Sequence, residues 1–297
     1  MVFILKVILV TGGAGFVGSH LLEELAQNES YVLYSLDDYS SGVVANHVPR
    51  VNYIRGNTRD ISELVECSPD TVFHLGEYAR VERSFEDVDK VLESNLAGTS
   101  EVLKFCRKHG CKLIYAGSST KFGDGGAGRS QSPYAWSKAA NTELVRNFGE
   151  WFGLDYAITY FYNVFGGREI SAGDYATVIG LFKDAYKAGS ALGVVAPGTQ
   201  KRNFTHVNDI VSGLILVALK GSGDEYGIGA PHSYSILEIA KMFGGEIRML
   251  PERRGNRMQA KLITERTESL GWSATIDVRD HIHEFASSNG EAGVKNV

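Results

Sequence analysis

Cysteine, excess positive charge and metal-ligand clusters are all scarce in this sequence, and each scarcity excludes a class of protein. The three cysteines, Cys67, Cys106 and Cys111, are odd in number and lack C-x-x-C spacing, so neither a disulfide framework nor a zinc site is indicated. The formal net charge of −5 gives no general attraction for nucleic acid or for an anionic membrane surface. No histidine, cysteine and acidic residues stand at metal-ligand spacing, so we predict no metal.

Long apolar runs are also missing, since none approaches the length that spans a membrane. The apolar first ten residues continue directly into a glycine turn and lack a signal-peptide cleavage pattern, which predicts a cytoplasmic protein. Hydrophobic residues make up 43% and charged residues 22% of the 297 positions, as in an ordinary globular protein. This length suffices for a large core divided between two lobes.

The stretch from Thr11 to His20 combines three glycines with the context of a strand and a helix. It follows an apolar run, Ile4 to Val10, that is typical of a buried parallel strand, and it precedes leucines spaced for the buried face of a helix. Gly12 permits a sharp turn, Gly15 lets the backbone approach a pyrophosphate, and Gly18 allows the helix to lie close on the sheet. The spacing is G-x-x-G-x-x-G rather than G-x-G-x-x-G, and a plain glycine turn is the less favoured alternative.

An acidic residue follows at the distance that a dinucleotide site requires. Asp37 ends the second apolar strand, 19 positions after Gly18, where its carboxylate would accept both hydroxyls of an adenosine ribose. No arginine or lysine between Val32 and Pro49 is present to neutralise a 2′-phosphate, so the predicted cofactor is NAD rather than NADP. A surface acid is the alternative for Asp37, and Asp38 is interpreted as a solvated neighbour.

Apolar strand candidates alternate with helical stretches and lie at 4–10, 31–36, 51–54, 70–75, 111–116 and 154–161. The alternation predicts an α/β fold, namely a Rossmann-like doubly wound parallel sheet with a smaller C-terminal substrate-binding α/β lobe. Residues 123–133 are expected to form one loop. The predicted division is an NAD-binding domain over 1–165 and about 205–225, a substrate-binding lobe over 166–204 and 226–286, and a disordered tail over 287–297.

Polar and small residues near the strand ends supply further cofactor candidates. Asn57 would hydrogen-bond the adenine edge or be an ordinary turn residue, and Gly76 would let the backbone pass close to the cofactor. Asn95 interrupts the apolar stripe of a helix predicted over 85–108, either as a brace for the active-site backbone or through helix packing. The predicted cofactor contacts are Gly12, Gly15, Phe16, Val17, Gly18, Asp37, Asn57, Thr58, Leu75, Gly76, Asn95, Tyr134 and Lys138.

Ser118, Tyr134 and Lys138 carry the predicted chemistry. The strand near 111–116 runs into a series of hydroxyl side chains that begins at Ser118. The next helix would carry Tyr134 and Lys138 one turn apart on the same face, which for this pair alone is most often a surface arrangement. A free tyrosine, with a pKa of about 10, is a poor base at neutral pH, and a nearby cation stabilises its deprotonated form. With Ser118 sharing the proton, the set suits oxidation of an alcohol by hydride loss.

These ordered motifs resemble those of a known family. From about residue 4 to 285 the chain resembles the extended short-chain dehydrogenase/reductase superfamily, in its NAD-dependent sugar-nucleotide epimerase/dehydratase group, and most nearly the pattern of UDP-glucose 4-epimerases. The resemblance implies that Tyr134 is the base, that Lys138 binds the nicotinamide ribose and tunes Tyr134, and that Ser118 hydrogen-bonds the sugar 4-hydroxyl. It also implies a homodimer built on the helices near 85–108 and 134–152.

Several positions depart from the family's patterns. The 4,6-dehydratases carry Thr-Asp-Glu or Thr-Ser-Glu where this chain has Ser118-Ser119-Thr120, so water elimination would lack its general acid. Against the epimerase pattern, Lys121 replaces an apolar residue, Phe122 replaces a tyrosine and Tyr160 replaces an arginine. Residues 77–80, Glu-Tyr-Ala-Arg, replace a more common run of small residues. The departures at 77–80, Lys121 and Phe122, with a shorter loop at 123–133, make the identity of the substrate less certain than the chemistry.

The resemblance also implies substrate contacts in the second lobe. Asn163 would contact a substrate phosphate, and the planar guanidinium of Arg202 would bind the diphosphate together with Arg253. Arg254 and Arg257 are interpreted as solvated. The predicted substrate contacts are Ser118, Ser119, Thr120, Asn163, Arg202 and Arg253.

His206 and Asp209 form the one pairing in this lobe that suggests a metal or an acid–base role. Packing by His206 and helix capping by Asp209 are the favoured interpretations. The sequence therefore predicts an NAD-dependent C4 epimerase of a nucleoside-diphosphate sugar that binds neither nucleic acid nor membrane. A 4,6-dehydratase, a 3,5-epimerase and a non-catalytic NAD-binding protein are the alternatives.

Overall fold

A parallel seven-stranded sheet forms the centre of the protein, whose computed structural model describes residues 6–173, 176–252 and 257–290. The strands are β1 (Lys6–Thr11), β2 (Tyr31–Asp37), β3 (Val51–Arg55), β4 (Thr71–His74), β5 (Lys112–Ser118), β6 (Tyr156–Phe161), β7 (Val164–Phe165), β8 (Leu192–Val195), β9 (Lys201–Asn203), β10 (Thr205–His206), β11 (Gly223–Ile228), β12 (Ser233–Ser235) and β13 (Ile247–Leu250). The central sheet has the order β3-β2-β1-β4-β5-β6-β11, and every neighbouring pair in it is parallel.

Helices cover both faces of this sheet. They are α1 (Phe16–Leu25), α2 (Ile61–Leu64), α3 (Val88–Val91), α4 (Gly98–His109), α5 (Pro133–Phe152), α6 (Val178–Lys187), α7 (Val207–Lys220), α8 (Ile236–Phe243), α9 (Glu265–Glu268) and α10 (Val278–Gly290). None of the helices in the described ranges combines the length and the apolar character that a bilayer crossing requires.

Alternate residues of each strand enter two separate cores. In β1, Leu9 packs into a cluster with residues of α2, α4 and α5, whereas Ile8 and Val10 join a second cluster with α1 and α7. All three side chains are at most 5% exposed. Because a strand buried on both faces needs apolar residues at every position, the continuous run in β1 is explained. The predicted doubly wound parallel sheet is confirmed.

The helix predicted over 85–108 is interrupted. A 3₁₀ turn at Arg83–Phe85 precedes α3, a π-helical segment follows at Leu92–Ala97, and α4 then continues to His109. A π-helical turn is wider than an α-helical one and is frequent at functional sites. This segment contains Asn95, which is completely buried.

A third apolar cluster forms the core of the smaller C-terminal lobe. It contains Phe182 of α6, Val194 of β8, Phe243 of α8 and Ile282 of α10, all at most 2% exposed. Short strand pairs complete this lobe, with β8 parallel to β13 and β9 antiparallel to β12.

Two predicted boundaries differ from the structure. Strand β11 pairs with β6 and ends at Ile228, so the central sheet continues past the predicted limit at 225. Helix α10 continues to Gly290, so the prediction of disorder is wrong for 287–290, while 291–297 lie outside the described residues. The predicted loop 123–133 contains a kinked 3₁₀ segment, Asp124–Ser130, before α5 begins.

Candidate active site

A cavity of about 920 Å³ opens at the carboxyl ends of the central strands, where the strand order reverses between β1 and β4. This reversal is the usual ligand position in open α/β sheets. The predicted site residues that line the cavity are Gly12, Gly15, Phe16, Val17, Gly18, Asp37, Asn57, Thr58, Leu75, Gly76, Ser118, Ser119, Thr120, Tyr134, Lys138, Asn163 and Arg202. The fold thus gathers residues from both lobes around one space.

Two glycines of the first loop are required by backbone contacts. Gly12 has a φ of +73°, and a Cβ there would lie 2.9 Å from the backbone of Gly76. A Cβ on Gly18 would overlap the carbonyl oxygen of Gly12, so Gly18 packs against the loop itself rather than against the sheet. Gly15 has no side chain to cap α1, which leaves the first N–H groups of that helix available for an anion.

Asp37 ties this loop to the end of β2. Its carboxylate is 6% exposed and accepts hydrogen bonds from the backbone N–H groups of Ala14, at 2.9 Å, and Tyr39, at 2.8 Å. Burial raises the pKa of the Asp37 carboxyl above its ordinary value, and the two N–H donors oppose that rise. Asp38 is exposed. The glycine cradle, the open helix terminus and this buried acid together fit a dinucleotide.

A chain of hydrogen bonds that includes the buried side chain of His74 holds the backbone at Gly76. The Oγ1 of Thr11 accepts from the N–H groups of Leu75 and Gly76, at 3.1 and 3.0 Å, and lies 2.8 Å from Nδ1 of His74. The Nε2 of His74 lies 2.9 Å from Oγ1 of Thr99. Burial lowers the pKa of His74 to about 4, so the ring is neutral. The hydroxyl of Thr11 already accepts two hydrogen bonds, so it donates its own hydrogen to Nδ1 of His74. The ring proton of His74 is therefore assigned to Nε2, which donates to Thr99.

The catalytic candidates meet at the end of β5. Ser132 caps α5 by accepting from the N–H of Ala135 at 3.1 Å, so Tyr134 lies in the first turn of the helix. The phenol of Tyr134 donates to Oγ of Ser118 at 3.3 Å. Ser118 in turn lies 2.9 Å from the hydroxyl of Thr120. Three hydroxyl groups therefore converge on one point of the cavity wall.

Lys138 forms an ion pair with Glu77, a residue that the sequence prediction did not include in the site. The two side chains are 6% and 3% exposed, and both line the cavity. The ammonium of Lys138 also donates to the carbonyl oxygen of Ala116. Glu77 belongs to the run 77–80 that departs from the family's small residues, and that departure was the available signal. A charged residue at a position where the family usually has a small one indicates that the charge has a specific partner in the fold.

Asn95 does not line the cavity, unlike the other predicted cofactor contacts among the described residues. Its Oδ1 accepts from the N–H of Tyr78 at 2.7 Å, and its Nδ2 donates to the carbonyl of Tyr78 and to Oγ of Ser137. We therefore correct its assignment from a direct cofactor contact to a brace for the backbone after β4. The π-helical turn brings its amide to that backbone.

Two half-buried arginines, Arg202 and Arg257, line the cavity. Arg202 donates to the carbonyl oxygens of Lys201 and Arg257, both at 2.8 Å. Burial, followed by the neighbouring positive charge of Arg257, lowers the pKa of Arg202 to about 10. Burial also lowers the pKa of Arg257, and Tyr134, Tyr162 and Asp124 oppose that shift. Two like charges held side by side in a half-buried setting favour an anion between them.

Arg257 is not the solvated residue that the sequence predicted. Its Nη2 donates to Oγ of Ser119 at 3.2 Å, and its Nη1 is buried with no hydrogen-bond partner in the described ranges. Nδ2 of Asn163 is likewise buried and unpaired within those ranges. Arg253, the second predicted diphosphate ligand, and Arg254 lie outside the described residues.

Three of the departures from the epimerase pattern contact one another. Lys121 donates to the phenol of Tyr160 at 3.1 Å and pairs with Asp224 at 3.4 Å. The ring of Phe122 packs edge-on against Tyr160, with centroids 4.8 Å apart. None of these four residues lines the cavity. Lys121, Phe122 and Tyr160 are therefore partners in one packed cluster of β5, β6 and β11.

The packing predicted for His206 is present, since its ring lies edge-on to Phe165 with centroids 5.2 Å apart, but the helix capping predicted for Asp209 is also made by His206. His206 is the N-cap of α7, where its Nδ1 accepts from the N–H of Asn208 at 3.2 Å. Asp209 is 4% exposed and accepts from the N–H groups of Thr275 and Ile276, at 3.1 Å each. Across the described ranges, no three histidine, cysteine or acidic side chains are grouped as metal ligands would be.

A sequence profile of the NAD dependent epimerase/dehydratase family matches residues 8–229. The chain belongs to this family. NAD is therefore the cofactor, as the glycine loop and Asp37 predicted, and the family is one of sugar-nucleotide enzymes.

Individual members of the NAD-dependent epimerase/dehydratase family extend the similarity over almost the whole chain. A candidate UDP-glucose 4-epimerase of Methanocaldococcus jannaschii is 29% identical over 300 residues, which cover 93% of this chain and 95% of the relative. UDP-glucuronic acid decarboxylase 6 of Arabidopsis thaliana is 29% identical over 302 residues, with coverages of 92% and 85%. These names include two reactions, so the choice of reaction depends on the site residues.

Solved structures show the same fold. The UDP-glucose 4-epimerase of Thermus thermophilus, in complex with NAD, matches with a TM-score of 0.84 and 25% sequence identity. The match covers 97% of this chain and 100% of that chain. The family's fold is therefore present in both lobes, including the segment beyond residue 229.

We expect Asp37→Asn to weaken NAD binding at least about tenfold and to narrow the preference for NAD over NADP. The amide keeps one acceptor for the N–H of Ala14 but removes the charge that repels a 2′-phosphate. Isothermal titration with each nucleotide measures both effects. Asp280→Asn, at an exposed acid outside the cavity, is the control and should bind both nucleotides as the wild type does. Equal losses in the two variants would contradict the assignment.

Proposed function

We propose that the protein is an NAD-dependent epimerase of a nucleoside-diphosphate sugar that acts at C4 through a 4-keto intermediate. The observation that carries the proposal is the contact between Tyr134 and Ser118, whose oxygens are 3.3 Å apart at the end of β5. A phenol and a hydroxyl at this separation can both contact one substrate hydroxyl and share its proton. Bound NAD would supply the hydride acceptor, and then the hydride donor, for the same carbon.

Each of the three hydroxyl groups has a separate part in this proposal. Tyr134 removes the proton of the sugar 4-hydroxyl as the carbon loses hydride, and later returns it to the ketone oxygen. Ser118 holds that oxygen in place. Thr120, 2.9 Å from Ser118, fixes the direction in which the serine hydroxyl points. Hydride return to the opposite face of the ketone would invert C4.

The residues that follow β5 favour epimerisation over dehydration. Loss of water from a sugar requires a group that protonates the leaving hydroxyl. Ser118, Ser119 and Thr120 occupy the positions where dehydratases carry that acid. Burial alone would raise the pKa of Glu77, but the charge of Lys138 more than offsets this and holds that pKa below its usual value. Glu77 is therefore ionised and unsuited to donate a proton.

The arginine pair supports a diphosphate-bearing substrate. Arg202 and Arg257 are half-buried neighbours that line the cavity, so they concentrate positive charge locally in a chain of net charge −5. Nη1 of Arg257 and Nδ2 of Asn163 are buried donors with no hydrogen-bond partner among the described residues, and an anionic ligand would satisfy both. We assign this side of the cavity to the diphosphate, and the Tyr134 side to the sugar.

A homodimer in the cytoplasm completes the proposal. Five exposed apolar side chains lie on the two helical regions that the resemblance implicates, namely Val88, Leu92, Trp136, Trp151 and Phe152. Large apolar side chains on adjoining helices are typical of an interface.

The reaction is tested by proton NMR of the purified protein with UDP-, dTDP-, GDP- and CDP-sugars in heavy water. We expect a C4 epimer without deuterium at carbon, because hydride returns directly to C4. Tyr134→Phe should slow the reaction at least about 100-fold, since it removes the proton acceptor. Tyr186→Phe, outside the cavity, should leave the rate unchanged.

Other products would contradict the proposed reaction in distinct ways. A 4-keto-6-deoxy product would indicate a dehydratase, and deuterium at C3 or C5 would indicate a 3,5-epimerase. Loss of carbon dioxide from a uronic acid substrate would indicate a decarboxylase. A Tyr134→Phe variant with full biological activity would instead favour a non-catalytic NAD-binding protein.

The substrate assignment is tested at Arg257. We expect Arg257→Met to weaken binding of UDP or dTDP about 10- to 100-fold, because a charged hydrogen-bond donor to phosphate is lost. NAD affinity should not change. Titration calorimetry measures both, and Arg248→Met, at an exposed arginine of β13, is the matched control. Unchanged nucleotide affinity in the Arg257 variant would contradict the assignment.

The dimer is tested by light scattering. We expect a mass twice the 32.4 kDa of one chain, and a shift towards the single-chain mass in Trp151→Glu, which buries a charge in the proposed interface. Leu219→Glu introduces the same charge at an exposed leucine of α7 and should remain dimeric. A wild-type protein with the single-chain mass would contradict the proposal.

A further inference from the structure

The ion pair between Lys138 and Glu77 places two opposite charges at the catalytic end of the cavity. Their side chains are 6% and 3% exposed, so water contributes little to the solvation of either charge. A buried ammonium without a counter-charge is strongly unfavourable, whereas a hydrogen-bonded pair has no net charge. The second acceptor for Lys138 is the carbonyl of Ala116, which bears only a partial charge.

Neutral donors hold the Glu77 carboxylate in place on its other side. Its Oε1 accepts from Thr99 at 3.0 Å, from Tyr115 at 3.1 Å and from Asn141 at 2.9 Å. These donors come from α4, β5 and α5, so three elements converge on one oxygen. Because every donor except Lys138 is neutral, the carboxylate charge is compensated by the ammonium alone.

Two titratable groups that face the pair, His74 and Tyr115, add no charge to it. His74 approaches through Thr99 and is neutral, because burial lowers its pKa to about 4. Tyr115, whose ring centroid lies 4.6 Å from Nζ of Lys138, is neutral because burial raises its pKa well above the ordinary value. Tyr134 lies one turn before Lys138 on α5. The charge balance at this end of the cavity therefore depends on Glu77.

This balance has a consequence for the cofactor. An oxidised nicotinamide ring is positively charged and a reduced one is neutral, so a nearby uncompensated ammonium would disfavour the oxidised form. The inference rests on the proposed oxidation at Tyr134, because hydride transfer requires the nicotinamide to lie beside the carbon that Tyr134 serves. Lys138 is then the adjacent cation.

We propose that Glu77 is a positioning residue that cancels the charge of Lys138 and thereby makes the site retain NAD⁺ in preference to NADH. It acts through the charge of Lys138 and takes no part itself in the transfer of the proton or the hydride. The proposed reaction starts each cycle with oxidised cofactor. If a keto intermediate escapes, the protein is left inactive with NADH bound, and a preference for NAD⁺ favours the exchange that restores the active form. A small residue in place of Glu77 would leave the ammonium uncompensated.

The experiment measures cofactor selectivity without any sugar substrate. Purified protein with its cofactor is equilibrated with NAD⁺ and NADH mixtures of known ratio, and unbound nucleotide is removed. The bound nucleotides are extracted and separated by chromatography, and the bound ratio divided by the free ratio gives the selectivity. We expect Glu77→Gln to shift it about tenfold towards NADH, because the neutral amide leaves Lys138 uncompensated.

Two further substitutions at the same position separate charge from folding. Glu77→Ala introduces a small residue, which is more common in the family at residues 77–80. It leaves room for water beside Lys138. This variant keeps the test available if Glu77→Gln does not fold. It should shift the selectivity in the same direction. Glu77→Asp keeps the charge and should remain within about twofold of the wild type.

A second buried ion pair provides the matched control. Lys183 and Glu169 are 2.8 Å apart, with side chains 14% and 4% exposed, and neither lines the cavity. Glu169→Gln should destabilise the fold comparably while leaving the selectivity within about twofold of the wild type.

Unchanged selectivity in folded Glu77→Gln or Glu77→Ala protein would overturn the inference and leave Glu77 a purely structural role. An equal shift in Glu169→Gln would overturn it as well. Because no sugar is present, failure of the proposed epimerase reaction appears only in the NMR experiment and is distinguishable from failure here.

Discussion

The backbone of Gly12 lies against the backbone of Gly76, and the site depends on that contact. It brings the loop after β1 next to the segment after β4, which are neighbours in the sheet but 64 residues apart in the chain. Thr11 secures the contact, because its hydroxyl accepts the N–H groups of Leu75 and Gly76. A Cβ at Gly12 would clash with the backbone of Gly76, so a side chain there would push the two loops apart and disrupt the dinucleotide site.

Glu77 is the residue after Gly76. The contact that positions Gly76 in the cofactor site therefore also positions the carboxylate that pairs with Lys138. The segment that contacts Gly12 continues one residue further to the carboxylate that pairs with Lys138. Asn95 fixes the next residue, Tyr78, through both its N–H and its carbonyl group. The π-helical turn supplies that amide, so the irregular part of the helix holds the backbone after β4 in place.

Charge is distributed unevenly within the cavity. Lys138 has a full counter-charge in Glu77, and the two side chains are 6% and 3% exposed. Arg202 and Arg257 also line the cavity and adjoin each other, and the charge of Arg257 adds to burial in lowering the pKa of Arg202. A chain of net charge −5 can therefore concentrate positive charge locally, because the relevant field is that of neighbouring side chains rather than that of the whole surface.

The sequence by itself determined the parallel sheet, the NAD cradle and the hydroxyl and lysine set, because strand periodicity, glycine spacing and i, i+4 spacing are local properties of the chain. It did not reveal Glu77 as the partner of Lys138, Ser119 as the partner of Arg257, or the cluster of Lys121, Phe122 and Tyr160. Each of these is a contact between segments far apart in sequence, 61 residues for Glu77 and Lys138 and 138 for Ser119 and Arg257, so only the tertiary structure decided them. Folding half-buries Arg257 and buries its Nη1 atom, and burial is a property of the folded chain alone.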